Sequence, residues 1–92
     1  MFTFDLSDEL RIALSKLAKK DKLRASIIYK KIEQIINCDE KTIDHYKNLR
    51  HDMSDFKRVH IDKSFVLLFK VSKKENHLIF MKLGHHDDIY KM

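Results

Sequence analysis

The first 40 residues carry apolar side chains at helical spacing, in two runs that follow one another closely. Ser7 is a suitable N-cap for the first run, because Asp8 and Glu9 follow it where the helix dipole favours acids. Asp21 can cap the second run, which should end near residues 37–39. The apolar stripes comprise Leu10, Ala13, Leu14, Leu17 and Ala18, then Leu23, Ile27, Ile28, Ile32, Ile35 and Ile36. The pattern predicts a helical hairpin.

After a polar connecting segment, 42–55, the pattern changes to the period of strands. Residues 56–62 alternate, with Lys57, Val59 and Ile61 on one face and Phe56, Arg58, His60 and Asp62 on the other. Residues 65–71 are almost continuously apolar, which is typical of a central strand. Residues 77–83 form a third strand that Gly84 should end, and 2–4 could form a short first strand.

This order of elements predicts an α+β fold in a single domain, 1–92. The two N-terminal helices should pack on one face of a small antiparallel sheet, the face that carries Val59 and Ile61. The other face, with Arg58 and His60, would then be left open for a partner or substrate.

Composition narrows the class of partner and the compartment. With 19 Lys and Arg against 14 Asp and Glu, the net charge is +5, which favours a nucleic acid, an anionic membrane or an acidic protein. Residues 65–69 are the longest apolar run, too short to span a bilayer, and the N-terminus does not resemble a signal peptide. Cys38 is the only cysteine, which excludes an internal disulfide and a thiolate zinc site. We expect a cytoplasmic protein without membrane contact.

Arg58 and His60 are the first candidates for chemistry, because they share one face of a strand. An imidazole can move a proton near neutral pH, and a guanidinium can hold phosphate oxygens. The pair therefore suits a phosphate site. An ordinary polar strand face remains the alternative for this segment alone.

A second cluster, His-His-Asp-Asp at 85–88, could suggest a metal site. Adjacent residues rarely converge on one ion, however, and the sequence supplies no second cluster of ligands except His45 and His51 in the connecting segment. RNA cleavage needs no metal, because the 2′-OH is an internal nucleophile and histidines with cations can supply the base, the acid and the charge. Tyr90 could stack on a base or simply dock at the domain edge.

Two segments resemble the RelE/ParE toxin superfamily, and its YafQ branch most of all. Residues 56–71, FKRVHIDKSFVLLFKV, are similar to the strand–turn–strand of that branch. Residues 84–90, GHHDDIY, are similar to its terminal Gly-x-His-x-acid-aliphatic-aromatic signature. With the order of elements, the resemblance covers nearly the whole chain.

The resemblance implies a ribosome-dependent endoribonuclease that cuts mRNA in the A site and is restrained by a cognate antitoxin. His60 and His86 fall on two catalytic histidines of the branch, and Tyr90 on its terminal aromatic. Ser64 and Val66 are departures, since the branch has a catalytic aspartate at the first and RelE-type members a phosphate-binding arginine at the second. The upstream histidine of the branch is matched only loosely, at 45–47.

The resulting hypothesis is an mRNA endonuclease that works by 2′-OH attack, without cofactor or metal, and leaves a 2′,3′-cyclic phosphate. The residues expected to act are His60 and His86 as acid and base in an order not assigned, Arg58 with Lys57 or Lys47 on the phosphorane, Tyr90 on a base, and His85 on RNA. One alternative is a non-catalytic protein on the same scaffold, either a ParE-like gyrase inhibitor or a decayed toxin that binds only its antitoxin. A generic basic RNA-binding module is the other.

Overall fold

The computed structural model of the chain describes residues 1–48 and 56–87. The elements follow in the order β1 (Thr3–Leu6), α1 (Asp8–Lys20), α2 (Lys22–Ile36), a 3₁₀ helix (Thr42–His45), β2 (Lys57–Ile61), β3 (Phe65–Ser72) and β4 (His77–His85). The predicted α+β class, with two helices and a small sheet, is confirmed. Neither helix of the described ranges has the length and apolar character needed to cross a bilayer.

Two side-chain caps produce the helical hairpin, as the sequence predicts. Ser7 Oγ accepts a hydrogen bond from the Leu10 amide at 3.0 Å and donates one to Met81 O at 2.6 Å. Asp21 Oδ1 accepts from the Arg24 amide at 3.0 Å, so that a single residue separates the two helices. Because Ser7 also bonds to β4, the cap that starts α1 joins this helix to the sheet.

The sheet has the strand order β1-β4-β3-β2. The pairs β2–β3 and β3–β4 are antiparallel, as predicted, but β1 runs parallel to β4, so the sheet is mixed. Along the chain, both helices come between β1 and the other three strands, and a long connection of this kind permits parallel pairing. Gly84 does not end the third strand, because Gly84 pairs with Val66 and His85 pairs with Phe65.

The main core lies between the helices and one face of the sheet. It includes Val59 and Ile61 of β2, so the helices cover the predicted face. Its fully buried members include Leu10, Leu14, Ile28, Ile35, Leu67, Phe69, Leu78 and Phe80. Ile43 of the 3₁₀ helix is also fully buried, and the Tyr46 ring meets that of Phe69 edge-on at 5.7 Å. The first part of the connecting segment is therefore part of the core.

The opposite face of the sheet is less bare than the sequence predicts. Val66 and Leu68 of β3 are only 0% and 1% exposed there, and Phe56 packs against them. The Lys70 ammonium lies 4.7 Å from the centre of the Phe56 ring, at cation–π distance. This face therefore has a small apolar floor with charged side chains around it.

Candidate active site

The two predicted catalytic histidines lie side by side. His60 is exposed on β2, on the face opposite the helices, and His86 directly follows β4. Their ring centroids are 5.5 Å apart and the ring planes are tilted by 30°. The His86 amide donates to Ser64 O at 2.7 Å, which fixes its backbone to the β2–β3 turn. Residues 26 positions apart in sequence thus form one polar site.

The spacing limits how a phosphate could approach this pair. A phosphate between the two imidazoles would form a hydrogen bond of about 2.8 Å to each ring. The lengths of these two bonds alone add up to the distance between the ring centres. A phosphate therefore does not fit between the rings, as an approach from opposite sides would require. It fits in front of them, where each imidazole can reach a different oxygen.

The Asp87 carboxylate lies beside His86. Its Oδ1 lies 3.5 Å from His86 Nδ1, and the Asp87 side chain is 71% exposed. The Asp87 amide also approaches His85 Nδ1 at 3.4 Å. A carboxylate beside one ring nitrogen can orient an imidazole and leave the other nitrogen to face a substrate.

Cationic side chains lie on the same sheet face as the two histidines. Arg58 pairs with Leu68, and Leu68 pairs with Lys82, so the three side chains form one row across the sheet. Because neighbouring strands are about 4.8 Å apart, the Arg58 and Lys82 backbones are separated by roughly 10 Å. Lys82 is not among the residues predicted from the sequence. Its position depends on a register shift at Leu68/Phe69, which no local pattern reveals.

Of the two lysines predicted to contact RNA, only Lys47 lies near this row. Lys47 O accepts a hydrogen bond from the Arg58 amide at 3.0 Å, and the Lys47 side chain is exposed. Lys57 lies on the helix side and is 9% exposed. Its ammonium donates to Tyr46 O and Asn48 Oδ1, each at 3.0 Å. Lys57 therefore holds the connecting segment instead of facing RNA, which corrects the prediction made for this residue.

His85 also lies on the helix side of the sheet, away from His60. It pairs with Phe65, and the two rings meet edge-on at 6.0 Å. The Arg24 guanidinium lies 5.0 Å from the centre of the same Phe65 ring and forms a 3.5 Å ion pair with Asp62. The alternation of the strand separates His85 from His86, so the expected RNA contact by His85 would have to occur at this second cluster.

The two departures from the family pattern have clear places in the structure. Val66 pairs with both His60 and Gly84 and is fully buried, so it forms the floor beside the histidine. Gly84 adds no side chain to this row. Ser64 acts through its backbone, because its carbonyl holds the His86 amide.

Carboxylates fix the segment that leads to Lys47. Asp39 Oδ1 accepts from the Thr42 amide at 2.7 Å, and these hydrogen bonds lower the pKa of Asp39. A 2.6 Å ion pair with the Lys73 ammonium likewise lowers the pKa of Asp44. Burial raises the pKa of the Tyr46 hydroxyl. The start of the connecting segment is thus held by charge at its surface and by an aromatic ring in the core.

The remaining predicted residues lie elsewhere in the fold or outside the described residues. Tyr90 and His51 lie outside the described residues, and His45 is exposed in the 3₁₀ helix. Within 1–48 and 56–87, no three His, Cys, Asp or Glu side chains are grouped so as to hold a metal ion. Cys38 is a buried free thiol whose pKa is raised by burial, as expected for a small apolar residue.

Comparison with known proteins finds sequence relatives that match nearly the whole chain. A protein of Methanocaldococcus jannaschii that is named as a toxin, RelE4, is 47% identical over 91 residues, which are 99% of this chain and 93% of the relative. No family model matches the chain.

Solved structures match the fold over nearly its whole length. YafQ from Escherichia coli BL21(DE3) superposes with a TM-score of 0.74 at 16% identity, covering 98% of this chain and 99% of YafQ. A Helicobacter pylori toxin described as metal-bound gives a TM-score of 0.73 at 24% identity, covering 97% and 99%. YafQ in the E. coli DinJ–YafQ complex gives 0.63 at 16% identity, covering 98% and 99%.

Proposed function

The chain belongs to the RelE/YafQ superfamily of toxins, and from this premise we propose that it is an endoribonuclease that cleaves mRNA on the ribosome. The observation that carries the proposal is the contact between His60 and His86, 5.5 Å apart on a sheet face that also bears Arg58 and Lys82. General acid–base cleavage of RNA needs two proton-transfer groups and a cationic surround, and this face has both.

The proposed reaction is transfer of the phosphoryl group to the neighbouring ribose oxygen. One imidazole removes the proton of the 2′-OH, whose oxygen attacks phosphorus. The P–O5′ bond breaks, and the other, protonated imidazole gives its proton to O5′. The products are a 2′,3′-cyclic phosphate and a 5′-hydroxyl.

Arg58 and Lys82 are proposed to stabilise the negative charge that develops on the phosphorane oxygens. A guanidinium in particular binds two phosphate oxygens in a fixed geometry. Lys47, held beside Arg58 at the backbone, would extend the cationic surface toward a neighbouring nucleotide. Tyr90 is proposed to stack on a base, a contact typically worth about 1–3 kcal/mol.

The ribosome and the antitoxin enter as further parts of the proposal. A net charge of +5 favours association with ribosomal RNA and mRNA in the cytoplasm. The E. coli protein YafQ forms a complex with DinJ, and the present chain has the same fold. We therefore propose that a cognate antitoxin binds this chain and restrains its activity.

The test uses a translated message and the purified protein. Primer extension should reveal cuts on ribosome-bound mRNA and far fewer on the same RNA without ribosomes. Mass spectrometry of the 3′ ends should find 2′,3′-cyclic phosphates. A message with a 2′-O-methyl group at the cut site is the control, since it has no nucleophile and should stay intact there. Cleavage of the methylated site would contradict the 2′-OH mechanism.

The competing function is a non-catalytic toxin-fold protein that binds its antitoxin only. Val66 favours this alternative, because a fully buried aliphatic residue stands where RelE-type members place a phosphate-binding arginine. In the proposed enzyme, Lys82 on the adjacent row would supply the positive charge that Val66 does not. A Lys82→Met variant that cleaves as fast as wild type would remove this argument for an enzyme.

A further inference from the structure

The turn between β2 and β3, residues 62–64, holds His86 in place. The Ser64 carbonyl at the end of this turn accepts a hydrogen bond from the His86 amide at 2.7 Å. Asp62 begins the turn with a φ of 58°, in the left-handed region, which is unfavourable for residues with a side chain and least so for Asp and Asn. Such a backbone keeps one conformation when contacts from outside the turn support it. The position of His86 therefore depends on those contacts.

Arg24, near the start of α2, contacts both ends of this turn. Its Nη2 lies 3.5 Å from Asp62 Oδ2. Its guanidinium carbon lies 5.0 Å from the centre of the ring of Phe65, the first residue after the turn, which is cation–π distance. A second carboxylate, that of Asp21 at the N-cap of the same helix, lies 3.9 Å from Arg24 Nε. One guanidinium thus links the start of a helix to the turn.

Phe65 extends these contacts to the end of β4. It pairs with His85 across the sheet, and the two rings meet edge-on at 6.0 Å. His85 immediately precedes His86, whose own amide is held by the Ser64 carbonyl. Two consecutive residues at the end of β4 are therefore attached to the segment that Arg24 contacts.

We propose that Arg24 is a positioning residue, which holds the turn so that the His86 imidazole stays beside that of His60, at the observed 5.5 Å. The inference rests on the proposed function, in which these two imidazoles are the acid and the base. Arg24 itself lies on the helix side of the sheet, where it contacts the Phe65 ring, and the histidine pair lies on the opposite side. Its effect on cleavage would be transmitted through the turn.

Other roles for Arg24 would have different consequences. Loss of a cation that binds RNA directly would raise the concentration needed for half-maximal cleavage, in a manner sensitive to salt. Loss of a positioning residue lowers the rate at saturation, because a misplacement of about 1 Å can cost about 10²-fold. An ion pair that only stabilises the fold would change neither quantity in protein that remains folded.

The first experiment records NMR spectra of the ¹⁵N-labelled full chain without any RNA. In the wild type, ring protons of His60 and His86 should show a through-space contact. Arg24→Met should weaken this contact and shift the His86 amide signal. Lys22→Met is the matched control, because it removes an exposed cation two residues earlier in the same helix, and it should leave both signals unchanged.

The second experiment measures single-turnover cleavage of a ribosome-bound message over a range of protein concentrations. Arg24→Met should lower the maximal rate by about 10–100-fold and leave the half-saturating concentration unchanged. Asp62→Asn is the second variant, since asparagine also tolerates left-handed backbone but lacks the charge paired with Arg24. It should lower the maximal rate less than Arg24→Met, and its effect should be smaller still when Arg24 is already methionine.

The two experiments separate this inference from the function on which it rests. A wild type that does not cleave would contradict the proposed function, and the spectra would still decide the role of Arg24. The inference is overturned if Arg24→Met leaves the contact between the histidine rings unchanged, or if Lys22→Met disturbs it equally. A raised half-saturating concentration with an unchanged maximal rate would also overturn it, in favour of direct RNA binding by Arg24.

Discussion

Lys57→Met should loosen the segment that carries Lys47 while preserving the sheet. The Lys57 side chain is 9% exposed, and its ammonium donates 3.0 Å hydrogen bonds to Tyr46 O and Asn48 Oδ1. Methionine keeps the length and the apolar packing of the stem but donates nothing. The Tyr46 carbonyl would then lose this partner at a half-buried position.

The magnitude follows from two opposing effects. A buried acceptor left without its donor costs about 1–3 kcal/mol, and hydrogen bonds from a charged donor lie at the upper end of the usual range. Removing a largely buried ammonium recovers part of its desolvation cost. We therefore expect a net loss in the lower part of that range, about 1–2 kcal/mol, which for a domain of this size lowers Tm by roughly 4–16 °C.

Thermal and urea unfolding followed by circular dichroism measures this loss. Lys73→Met is the matched control, because the Lys73 ammonium likewise donates to an oxygen of the connecting segment, the Asp44 carboxylate, but both of these side chains are about half exposed. Such surface pairs contribute little to stability. If Lys57→Met is as stable as Lys73→Met, the proposed anchoring role of the Lys57 ammonium is wrong.

Three further predictions concern other parts of the fold. Hydrogen bonds from the folded chain lower the pKa of Asp39 from 3.8, so the ionised carboxylate stabilises the fold above pH 3.8 and this stabilisation is lost as the pH falls through the lowered pKa. In a series of urea midpoints from pH 5 to 2, Asp39→Asn should therefore reduce the fall in stability at acid pH. His77 bonds Thr3 Oγ1 at 2.6 Å and Asp5 Oδ2 at 3.1 Å, so His77→Ala should lower hydrogen-exchange protection in β1 and leave β3 unchanged. Burial raises the pKa of Cys38, so iodoacetamide should alkylate the folded protein at pH 7.5 much more slowly than the urea-unfolded chain, and equal rates would contradict the burial.

The helical hairpin and the faces of β2 were predictable because their signals are local. Ser7 and Asp21 each cap a helix within three residues of their own position. The alternation around Val59 and Ile61 fixes which side of β2 meets the helices, and hence that His60 faces away from them. The proximity of His60 and His86 followed once β3 was identified as the central strand.

The remaining features depend on contacts between distant residues. The parallel pairing of β1 with β4 cannot be read from either strand alone. Gly84 suggests a strand end by composition, yet pairing with Val66 continues the strand through it. Lys57 looks like a surface cation until the Tyr46 carbonyl is placed over it, and Lys82 joins the site only through the register shift at Leu68/Phe69.

The central claim is that His60 and His86 act together as acid and base, and one set of cleavage rates tests it most directly. Primer extension on a translated message would compare wild type with His60→Ala, His86→Ala and the double variant, after circular dichroism has established that each is folded. Each single substitution should lower the rate by about 10²–10⁴-fold, since general acid–base catalysis typically contributes that much. The double variant should lose less than the product of the two, because the groups serve one reaction step. A paired mechanism would be contradicted if His86→Ala cleaves at the wild-type rate. It would also be contradicted if the rate loss of the double variant equals the product of the two single losses.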